Sequence, residues 1–382
     1  MVAMKKKKIR PLQGGSYIKG TLPNGCKLCR RGAQLFFLIS GKCCENCYYC
    51  SLTKDKRGED IILANERPIT NFAGVMLEKT NMDALGAAIT GGDPLATIDH
   101  TIEYIANMKK EFGEKFYIHL YTSGRFATEE NLQKLSDAGL DEIRFHPQNK
   151  EQERNIEKAL LHEWTVGAEI PIIPGNKKKT LKFLDYLESL EFVKFCNFNE
   201  LEATEANFEN LTKRGLQLKT EDSSAIEGSE ALALEILEET DYNFSLHYCS
   251  STTKDSVQFR NRLLRTAKVV KQPYEEIQDG MLVKAVISVP KYLIAEELVE
   301  AMIEEYEIEQ EMVFLRPDKN IETSWYIADV LKDVLYERYE LTDIDVIYEY
   351  PTYGRTIIAK GSLRELSLAN DALEYSEKTK EN

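Results

Sequence analysis

The sequence lacks the features that mark a secreted or membrane-spanning protein. Four lysines in a row, Lys5 to Lys8, stand near its start, but no apolar segment follows them, so neither a signal peptide nor an anchor is expected. No internal repeat or low-complexity tract occurs along the 382 residues. A hydrophobic content of 43% with 29% charged residues is typical of a globular protein. We therefore expect a cytoplasmic protein with no membrane partner.

Positive charge is scarce in one stretch. Residues 292–350 hold 17 Asp and Glu against 4 Lys and Arg, while the whole chain has a net charge of -14. The rest of the chain is therefore almost neutral. Overall acidity consequently does not exclude a nucleic-acid partner for the N-terminal part.

Cysteine is not scarce, but it is unevenly distributed. Six of the eight cysteines fall between positions 26 and 50, which is too clustered for a disulfide scaffold in a chain of this length. Cys43, Cys47 and Cys50 follow the apolar run 34–39 with C-x3-C-x2-C spacing. Three cysteine ligands on a [4Fe–4S] cluster leave one iron free to bind a substrate or cofactor. The spacing therefore predicts a catalytic iron–sulfur centre.

Two other ligand sets are compatible with the same cysteines. A set that starts at Cys44 instead of Cys43 is sterically possible. A structural zinc ribbon would use two C-x2-C pairs on either side of the segment 30–46, namely Cys26, Cys29, Cys47 and Cys50. The ribbon leaves Cys43 unexplained, and its second pair would directly follow a long strand, so the three-cysteine cluster is favoured.

A second polar segment, Gly91, Gly92 and Asp93, follows the next predicted strand. Glycines allow the backbone to approach a ligand closely, and Asp93 can pair with an ammonium group. Together with the three cysteines, and with Tyr49 directly before the last of them, this segment resembles the radical S-adenosylmethionine superfamily. Within that superfamily the chain resembles the branch related to pyruvate formate-lyase activating enzymes. The resemblance covers roughly residues 30 to 200.

The resemblance implies cofactors and a reaction. The open iron would bind the amino and carboxylate groups of S-adenosylmethionine, and one electron from ferredoxin or flavodoxin would cleave it to a 5′-deoxyadenosyl radical that abstracts hydrogen from a substrate. Asp93 stands where many members have Glu, which leaves open whether it reaches the amino group directly. The predicted cofactor-binding residues are Tyr49, Gly91, Gly92, Asp93, Thr122, Ser123, His146, Ile173 and Asn199.

Alternating short apolar strands and amphipathic helices predict an α/β fold with a parallel sheet. Strands are predicted at 34–39, 85–90, 116–122, 141–146, 167–173 and 192–198. Six such units fit the partial (β/α)6 barrel that the resemblance implies, followed by a smaller C-terminal α+β domain. The predicted divisions are a leader (1–33), the barrel (34–203), an extension with a basic helix at 258–271 (204–279) and an acidic α+β domain (280–382).

Polar residues at the predicted strand ends are candidates for ligand contacts, because chemistry gathers at the C-terminal ends of the strands in parallel barrels. Period-two geometry places His119 with Tyr121, and Arg144 with His146, on one face of their strands. On the sixth strand and just beyond it, the candidates are Asn199, Glu200 and Glu202. A hydrogen-bonded rim without ligand contacts is the alternative for this last group.

A second metal site is predicted outside the main cysteine loop. Cys26 and Cys29 precede the barrel, and their partners would be Cys249, with or without His247, which follow it. Cys44 and Cys196 are alternative partners. The spacing of Cys26 and Cys29 fits an additional iron–sulfur cluster or a zinc ion. A pair of buried thiols is the alternative interpretation.

The substrate and the catalytic residues that act on it are not identifiable from the residues alone. A macromolecular substrate is favoured, because the chain adds a basic helix and an acidic domain to the barrel; Arg262, Arg265, Lys268 and Lys271 would give that helix a positive side. A protein or peptide is the first hypothesis. The alternatives are an RNA-modifying enzyme and a zinc-binding interaction module without catalysis.

Overall fold

The computed structural model describes residues 7–365, so Lys5 and Lys6 lie outside the described part. The chain divides into two compact units, Met1–Arg262 and Leu263–Asn382. Each unit has its own sheet and its own hydrophobic core. Within the described residues, no helix is both long enough and apolar enough to cross a membrane.

The first unit is built on one eleven-stranded mixed sheet, which makes the fold α/β. Seven neighbouring strands are parallel, and antiparallel pairs flank them at both ends. In spatial order the strands are β1 (Ile9–Leu12), β2 (Ser16–Lys19), β11 (Ser245–Cys249), β10 (Phe195–Glu200), β9 (Thr165–Ile172), β8 (Glu142–Phe145), β7 (Tyr117–Thr122), β6 (Gly86–Gly91), β3 (Gln34–Ser40), β4 (Leu63–Ala64) and β5 (Arg67–Pro68).

Helices connect the parallel strands, as β–α–β crossovers require. The connecting helices are α2 (Phe72–Asn81), α3 (Ile98–Phe112), α4 (Glu129–Asp137), α5 (Lys150–Ala159), α6 (Lys177–Glu188), α7 (Phe208–Thr212) and α8 (Ser229–Glu239). Helix α1 (Asn24–Arg30) precedes the first parallel strand, and α9 (Ser251–Thr253) follows the last. A π-helical stretch, Lys254–Phe259, leads into α10 (Arg260–Val270). The predicted basic helix is therefore helical, but its first turn is wound more widely than an α-helix.

The core of the first unit lies between this sheet and its helices. Leu35, Phe37 and Ile39 alternate along β3 and are fully buried, as the period-two geometry of a strand predicts. Side chains also fix the helix starts: the Thr128 hydroxyl accepts a hydrogen bond from the Asn131 amide at the start of α4.

All six predicted strands are present, with ends that differ by a few residues. The parallel sheet also has a seventh strand, because β11 pairs with β10 from Phe195 opposite Ser245 onward. The leader, for which no strand is predicted, forms the hairpin β1–β2, and β2 pairs with β11 through Lys19 and Leu246. Since β2 and β11 come from opposite ends of the first unit's sequence, local sequence patterns do not reveal their pairing.

The second unit has a six-stranded sheet in which every pair is antiparallel. Its strands are β12 (Glu276–Gln278), β13 (Met281–Ile287), β14 (Val313–Leu315), β15 (Ile321–Thr323), β16 (Ile344–Glu349) and β17 (Ile357–Ser362), with helices α11 (Ala295–Glu304) and α12 (Trp325–Val330). The spatial order is β14, β15, β13, β16 and β17, and β12 also pairs with β13. Leu298 and Met302 of α11 are buried in the core of this unit.

Candidate active site

The cysteine loop lies at the C-terminal end of β3. Cys43, Cys47 and Cys50 all line one cavity of about 490 Å³. Cys44 is exposed and lies outside this lining. The ends of β6, β7, β9 and β10 and the segment after β8 contribute the opposite walls of the cavity. The loop therefore presents three thiols to a space enclosed by the edge of the sheet where chemistry is expected in parallel α/β folds.

Two sets of contacts fix the position of this loop. Glu45 Oε1 accepts hydrogen bonds from Arg125 Nε at 2.6 Å and from Gln152 Nε2 at 2.7 Å. On the other side, the Asp93 amide donates to the Lys42 carbonyl oxygen at 2.8 Å. The loop is thus joined to the segments that follow β6, β7 and β8.

Gly91 and Gly92 allow β6 and the cysteine loop to approach closely. Gly91 has a φ of 137°, and a Cβ there would lie 2.2 Å from the Ser40 carbonyl oxygen. A Cβ on Gly92 would lie 2.1 Å from the Lys42 carbonyl oxygen. The Gly92 amide instead donates to the Ser40 carbonyl oxygen at 2.8 Å. Any larger side chain would force the two segments apart.

The carboxylate of Asp93 is fully engaged by the protein. Asp93 Oδ1 accepts from the Leu95 amide at 3.1 Å and from the Thr122 hydroxyl at 2.9 Å. Asp93 Oδ2 accepts from the amide and the hydroxyl of Ser123, at 3.0 and 2.6 Å. Asp93 is only 2% exposed and lies behind the cavity wall, whereas Gly91, Thr122 and Ser123 line it. The carboxylate thus fixes the backbone of two wall segments.

The three thiols can accept a cluster without a preformed single-ion site. Burial raises the pKa of Cys43, and burial raises the pKa of Cys47 to about 11, so these sulfurs are protonated until a metal displaces the proton. Within the described residues, no three His, Cys, Asp or Glu side chains are arranged to hold one metal ion. Cysteine ligands of a [4Fe–4S] cluster bind different irons, so they surround a volume instead of meeting at a point. A cavity lined by three thiols fits that requirement.

Tyr49 and His146 form a second wall. The His146 Nδ1 atom lies 2.7 Å from the Glu169 carbonyl oxygen, which can only accept, so Nδ1 carries the proton. Burial lowers the pKa of His146, which favours the neutral ring. Its Nε2 atom is then an acceptor that lies 3.0 Å from the Tyr49 hydroxyl, and the same hydroxyl lies 3.1 Å from Gln148 Oε1, so these two acceptors compete for one hydroxyl proton. The predicted residues Tyr49 and His146 therefore meet directly.

Glu169 is the centre of a hydrogen-bond network that the sequence does not reveal. Its Oε2 atom accepts from Arg144 Nη1 at 2.8 Å and from Asn197 Nδ2 at 2.9 Å. Its Oε1 atom accepts from Asn199 Nδ2 at 2.9 Å. Despite burial, Arg144 and the two amides lower the pKa of Glu169, so it is a carboxylate. A charged residue inside the otherwise apolar strand β9 was the available signal.

Other predicted residues differ in their placement. Asn199, Glu200 and Glu202 all line the cavity. Glu200 accepts from the amide and the hydroxyl of Ser251, at 2.7 and 2.9 Å, and Glu202 pairs with Lys254. These carboxylates are already satisfied by protein groups. Ile173, like Tyr49, packs against a small apolar cluster of Leu201, Leu211 and Ile226. It is not part of the cavity lining, which includes Pro171.

The four residues of the predicted second site meet at another cavity. Cys26, Cys29, His247 and Cys249 all line a space of about 270 Å³, whereas Cys47 and Cys50 do not. The zinc-ribbon alternative is therefore not supported, because its two cysteine pairs face different cavities. Burial raises the pKa of Cys26 to about 12 and also raises the pKa of Cys29 and Cys249.

The basic side predicted for residues 258–271 is smaller than expected. Arg262 is only 8% exposed, and its guanidinium makes a bidentate ion pair with Glu66. Lys268 and Lys271 are exposed. Arg262 is thus a structural residue of the first unit and does not contribute to a docking surface.

Comparisons with known proteins agree with the motifs. Residues 37–168 match the Radical SAM superfamily, and residues 280–363 match a domain of unknown function, DUF8061. Over 345 residues the chain is 39% identical to a Methanocaldococcus jannaschii protein named "Putative glycyl-radical enzyme activating enzyme", covering 87% of this chain and 90% of that protein. It is 30% identical over 115 residues to the PqqA peptide cyclase of Methylocella silvestris, covering 30% of this chain and 28% of that protein.

Solved structures show a more distant likeness. Streptococcus suis SuiB bound to the precursor peptide SuiA aligns with a TM-score of 0.41 and 10% identity, covering 66% of this chain and 56% of that chain. The methyltransferase TsrM of Kitasatospora setae, bound to tryptophan and a S-adenosylmethionine analogue, aligns with a TM-score of 0.37 and 13% identity, with the same two coverages.

Proposed function

This chain belongs to the radical S-adenosylmethionine superfamily, in the branch related to pyruvate formate-lyase activating enzymes, and on that basis we propose that it abstracts a hydrogen atom from a protein or peptide partner. It is an enzyme that uses a [4Fe–4S] cluster and S-adenosylmethionine, as the superfamily does. When bound, these two cofactors supply a 5′-deoxyadenosyl radical after transfer of one electron. Ferredoxin or flavodoxin is the proposed class of electron donor.

The observation that carries the proposal is that three thiols and the Gly91–Gly92 edge line the same cavity. Cys43, Cys47 and Cys50 would hold the cluster. The close backbone approach at Gly91 and Gly92 would leave room for the methionine part of S-adenosylmethionine beside it. A sheet of parallel strands whose carboxyl ends surround one cavity supports the partial (β/α)6 barrel, extended by a seventh strand.

Protein groups would orient the cofactor and exclude water from it. Asp93 accepts hydrogen bonds from Thr122 and Ser123, so it holds in place a segment that lines the cavity. The neutral His146 ring and the Tyr49 hydroxyl make a wall without net charge beside Cys50. Glu169, held by Arg144, lines the same cavity and provides one fixed negative charge there.

A polypeptide substrate is supported by the relatives. The M. jannaschii protein, which matches nearly along its whole length, is named as an activator of a glycyl-radical enzyme. The PqqA peptide cyclase is named for a peptide. Arg262 is buried in an ion pair with Glu66, so residues 258–271 have fewer exposed cations that could pair with phosphates. This weakens the argument for RNA. The eight free cysteines fit the predicted cytoplasmic location.

The assignment of the cluster ligands is tested by replacing each of two adjacent cysteines with serine. Cys43→Ser should lose iron and the formation of 5′-deoxyadenosine from S-adenosylmethionine under dithionite, because a ligand is removed. Cys44→Ser, the matched control in the same loop, should keep both. Iron analysis and chromatography of the products after anaerobic reconstitution measure this. The reverse pattern would move the ligand set by one residue and show that our assignment is wrong.

The substrate class is tested by isotope transfer. Extracts of the native host grown in heavy water are separated into protein, RNA and small-molecule fractions, and each is incubated with reduced enzyme and unlabelled S-adenosylmethionine. Deuterium should appear in 5′-deoxyadenosine with the protein fraction, and trypsin should abolish this transfer. Transfer that follows the RNA fraction and disappears with ribonuclease, or that requires only the small molecules, would refute a polypeptide substrate.

A further inference from the structure

We propose that the first unit holds a second iron–sulfur cluster, ligated by Cys26, Cys29, Cys249 and His247. Nothing in the proposed reaction requires this site, and its test does not depend on the substrate. The four side chains come from two segments at opposite ends of the first unit's sequence. The fold brings them to one cavity of about 270 Å³.

The local geometry of each segment presents two ligands together. Cys26 and Cys29 stand at positions i and i+3 of α1, so they share one face of that helix. His247 and Cys249 stand at positions i and i+2 of β11, so they share one face of that strand. The intervening Tyr248 points to the opposite side and is buried in the hydrophobic core. A helix pair and a strand pair therefore face a common space.

His247 has the protonation pattern of a metal ligand. Its Nδ1 atom lies 3.3 Å from Asn197 Oδ1, and the Asn197 amide nitrogen is occupied by Glu169 and Cys26, so Oδ1 is the acceptor and Nδ1 carries the proton. Its Nε2 atom has no hydrogen-bond partner among the described residues, although His247 is only 2% exposed. An unpaired buried nitrogen is costly, and metal ligation would satisfy it.

The cysteine sulfurs also have partners typical of metal ligands. Asn197 Nδ2 lies 3.3 Å from Cys26 Sγ, and Gln258 Nε2 lies 3.5 Å from Cys249 Sγ, both as donors. Such hydrogen bonds stabilise coordinated sulfur and tune the potential of a cluster. Arg144 and Lys254 line the same cavity, but Arg144 already pairs with Glu142 and Glu169, and Lys254 already pairs with Glu202.

A cluster fits this cavity better than a single zinc ion. Zinc requires its sulfur ligands within about 2.3 Å of one point. Within residues 7–365, no three His, Cys, Asp or Glu side chains already have a single-ion arrangement. The four ligands instead surround a cavity, as the ligands of a cluster do when each binds its own iron or shares a two-iron core.

The test removes the first cluster and looks for the second. The triple variant Cys43→Ala, Cys47→Ala, Cys50→Ala changes only the cysteine loop, so the ligands of the second cavity stay intact. After anaerobic reconstitution it should contain iron and inorganic sulfide in equal amounts and show visible absorption that dithionite bleaches. Iron no higher than in a protein treated without sulfide, or zinc in place of iron, would overturn the proposal.

Two further variants identify the ligands. Adding Cys29→Ser and Cys249→Ser to the triple variant should abolish the remaining iron. Adding Cys196→Ser should not, because Cys196 is a fully buried cysteine outside the lining of the cavity. Circular dichroism confirms that each protein is folded. Retention of iron without Cys29 and Cys249 would also overturn the assignment.

The histidine ligand has its own readout. Protein labelled with ¹⁵N-histidine and reduced in the triple-variant background should show nitrogen hyperfine coupling to the cluster in pulsed electron paramagnetic resonance. His247→Gln should remove this coupling, and His100→Gln, which changes an exposed histidine, should leave it. Unchanged coupling in His247→Gln would exclude His247 from the ligands and overturn the four-ligand assignment.

Discussion

Asp93 illustrates how a residue of a binding motif can act through its neighbours. By resemblance it is expected near the amino group of S-adenosylmethionine, yet its two oxygens accept four hydrogen bonds from Leu95, Thr122 and Ser123. A shorter side chain than Glu reaches these donors and stays behind the cavity wall. Asp93 is therefore a positioning residue for Thr122 and Ser123, which line the cavity.

Replacing this carboxylate tests its positioning role. In Asp93→Asn, one of the two oxygens becomes an NH₂ group that cannot accept from its present donors, which should cost about 1–3 kcal/mol of stability. Binding of S-adenosylmethionine should weaken while the iron content stays unchanged. Calorimetric titration and thermal melting measure this, with Asp99→Asn, an exposed aspartate, as control. Normal binding and stability in Asp93→Asn would contradict the role.

His119 makes a pH-dependent contribution to stability. It is 1% exposed, and burial holds its pKa well below the usual 6.5. The unfolded chain therefore binds a proton below pH 6.5 that the folded protein does not bind, so the free energy of unfolding should fall as pH decreases, by about 1.4 kcal/mol per pH unit for this group. His119→Gln should flatten the dependence between pH 6.5 and 5 in urea unfolding of the metal-free protein. Parallel curves for the variant and the parent would contradict this.

At the residue level, the sequence identifies those candidate site residues that stand at a distinctive spacing. Cys43, Cys47 and Cys50 line one cavity together with the glycine pair, as expected. Glu169 and Gln148 could not be found in this way, because their roles depend on which strands are neighbours in space. A strand pattern shows which face a side chain takes, but not which partners it meets there.

At the level of elements, the connection between β3 and β6 positions the cysteine loop. The Gly92 amide bonds to the last residue of β3, and Gly91 adopts a backbone angle suited to glycine. The sequence predicts both strands and the turn after β6, since each is a local pattern. It also predicts a strand at 243–248, but places it after the barrel and not in the parallel sheet, and it predicts no leader hairpin. These two elements pair with each other from opposite ends of the first unit's sequence, which local patterns do not reveal.

Gly91→Ala tests this connection. The added Cβ would lie 2.2 Å from the Ser40 carbonyl oxygen, so the strand ends must separate and the cysteine loop should shift. We expect a loss of iron after reconstitution and a loss of stability greater than the cost of dihedral strain alone, which is about 1–3 kcal/mol. Gly113→Ala is the control, because its φ of 84° is also positive but no described atom lies within 4 Å of the added Cβ. Equal effects of the two substitutions would show that strain, not contact with β3, explains the result.

At the level of the whole molecule, the strongly acidic part of the sequence lies within one of the two structural units. The strongly acidic stretch 292–350 falls inside the second unit, which has an antiparallel sheet and a separate core. The sequence pattern of this region predicts one helix at 323–339. The structure has two pieces there instead, α12 and a π-helical turn at Val334–Arg338. The change in composition predicts a separate folding region that starts at residue 280. In the structure the first unit ends at Arg262, so the second unit begins earlier than predicted.

The second unit contains a buried network of ion pairs, which can be used to test whether the two units are stable independently of each other. Lys284 Nζ lies 3.5 Å from Glu275, 3.0 Å from Glu322 and 3.3 Å from Glu349, and its side chain is about one-tenth exposed. Burial raises the pKa of Glu349, which shows that its charge is held in a costly environment. Removing the lysine would leave carboxylates close together with less compensation.

Lys284→Met should therefore destabilise the second unit by about 3–5 kcal/mol, since one partner of a buried charge network is lost. If each unit melts on its own core, scanning calorimetry should show the transition of the second unit moved to lower temperature, with the other transition, iron content and S-adenosylmethionine binding unchanged. Lys360→Met is the matched control: Lys360 pairs with Asp345 at 2.8 Å but its side chain is 57% exposed, so its removal should cost about 0–1 kcal/mol. A shift of both transitions, or a loss of S-adenosylmethionine binding in Lys284→Met, would show that the two units depend on each other for stability.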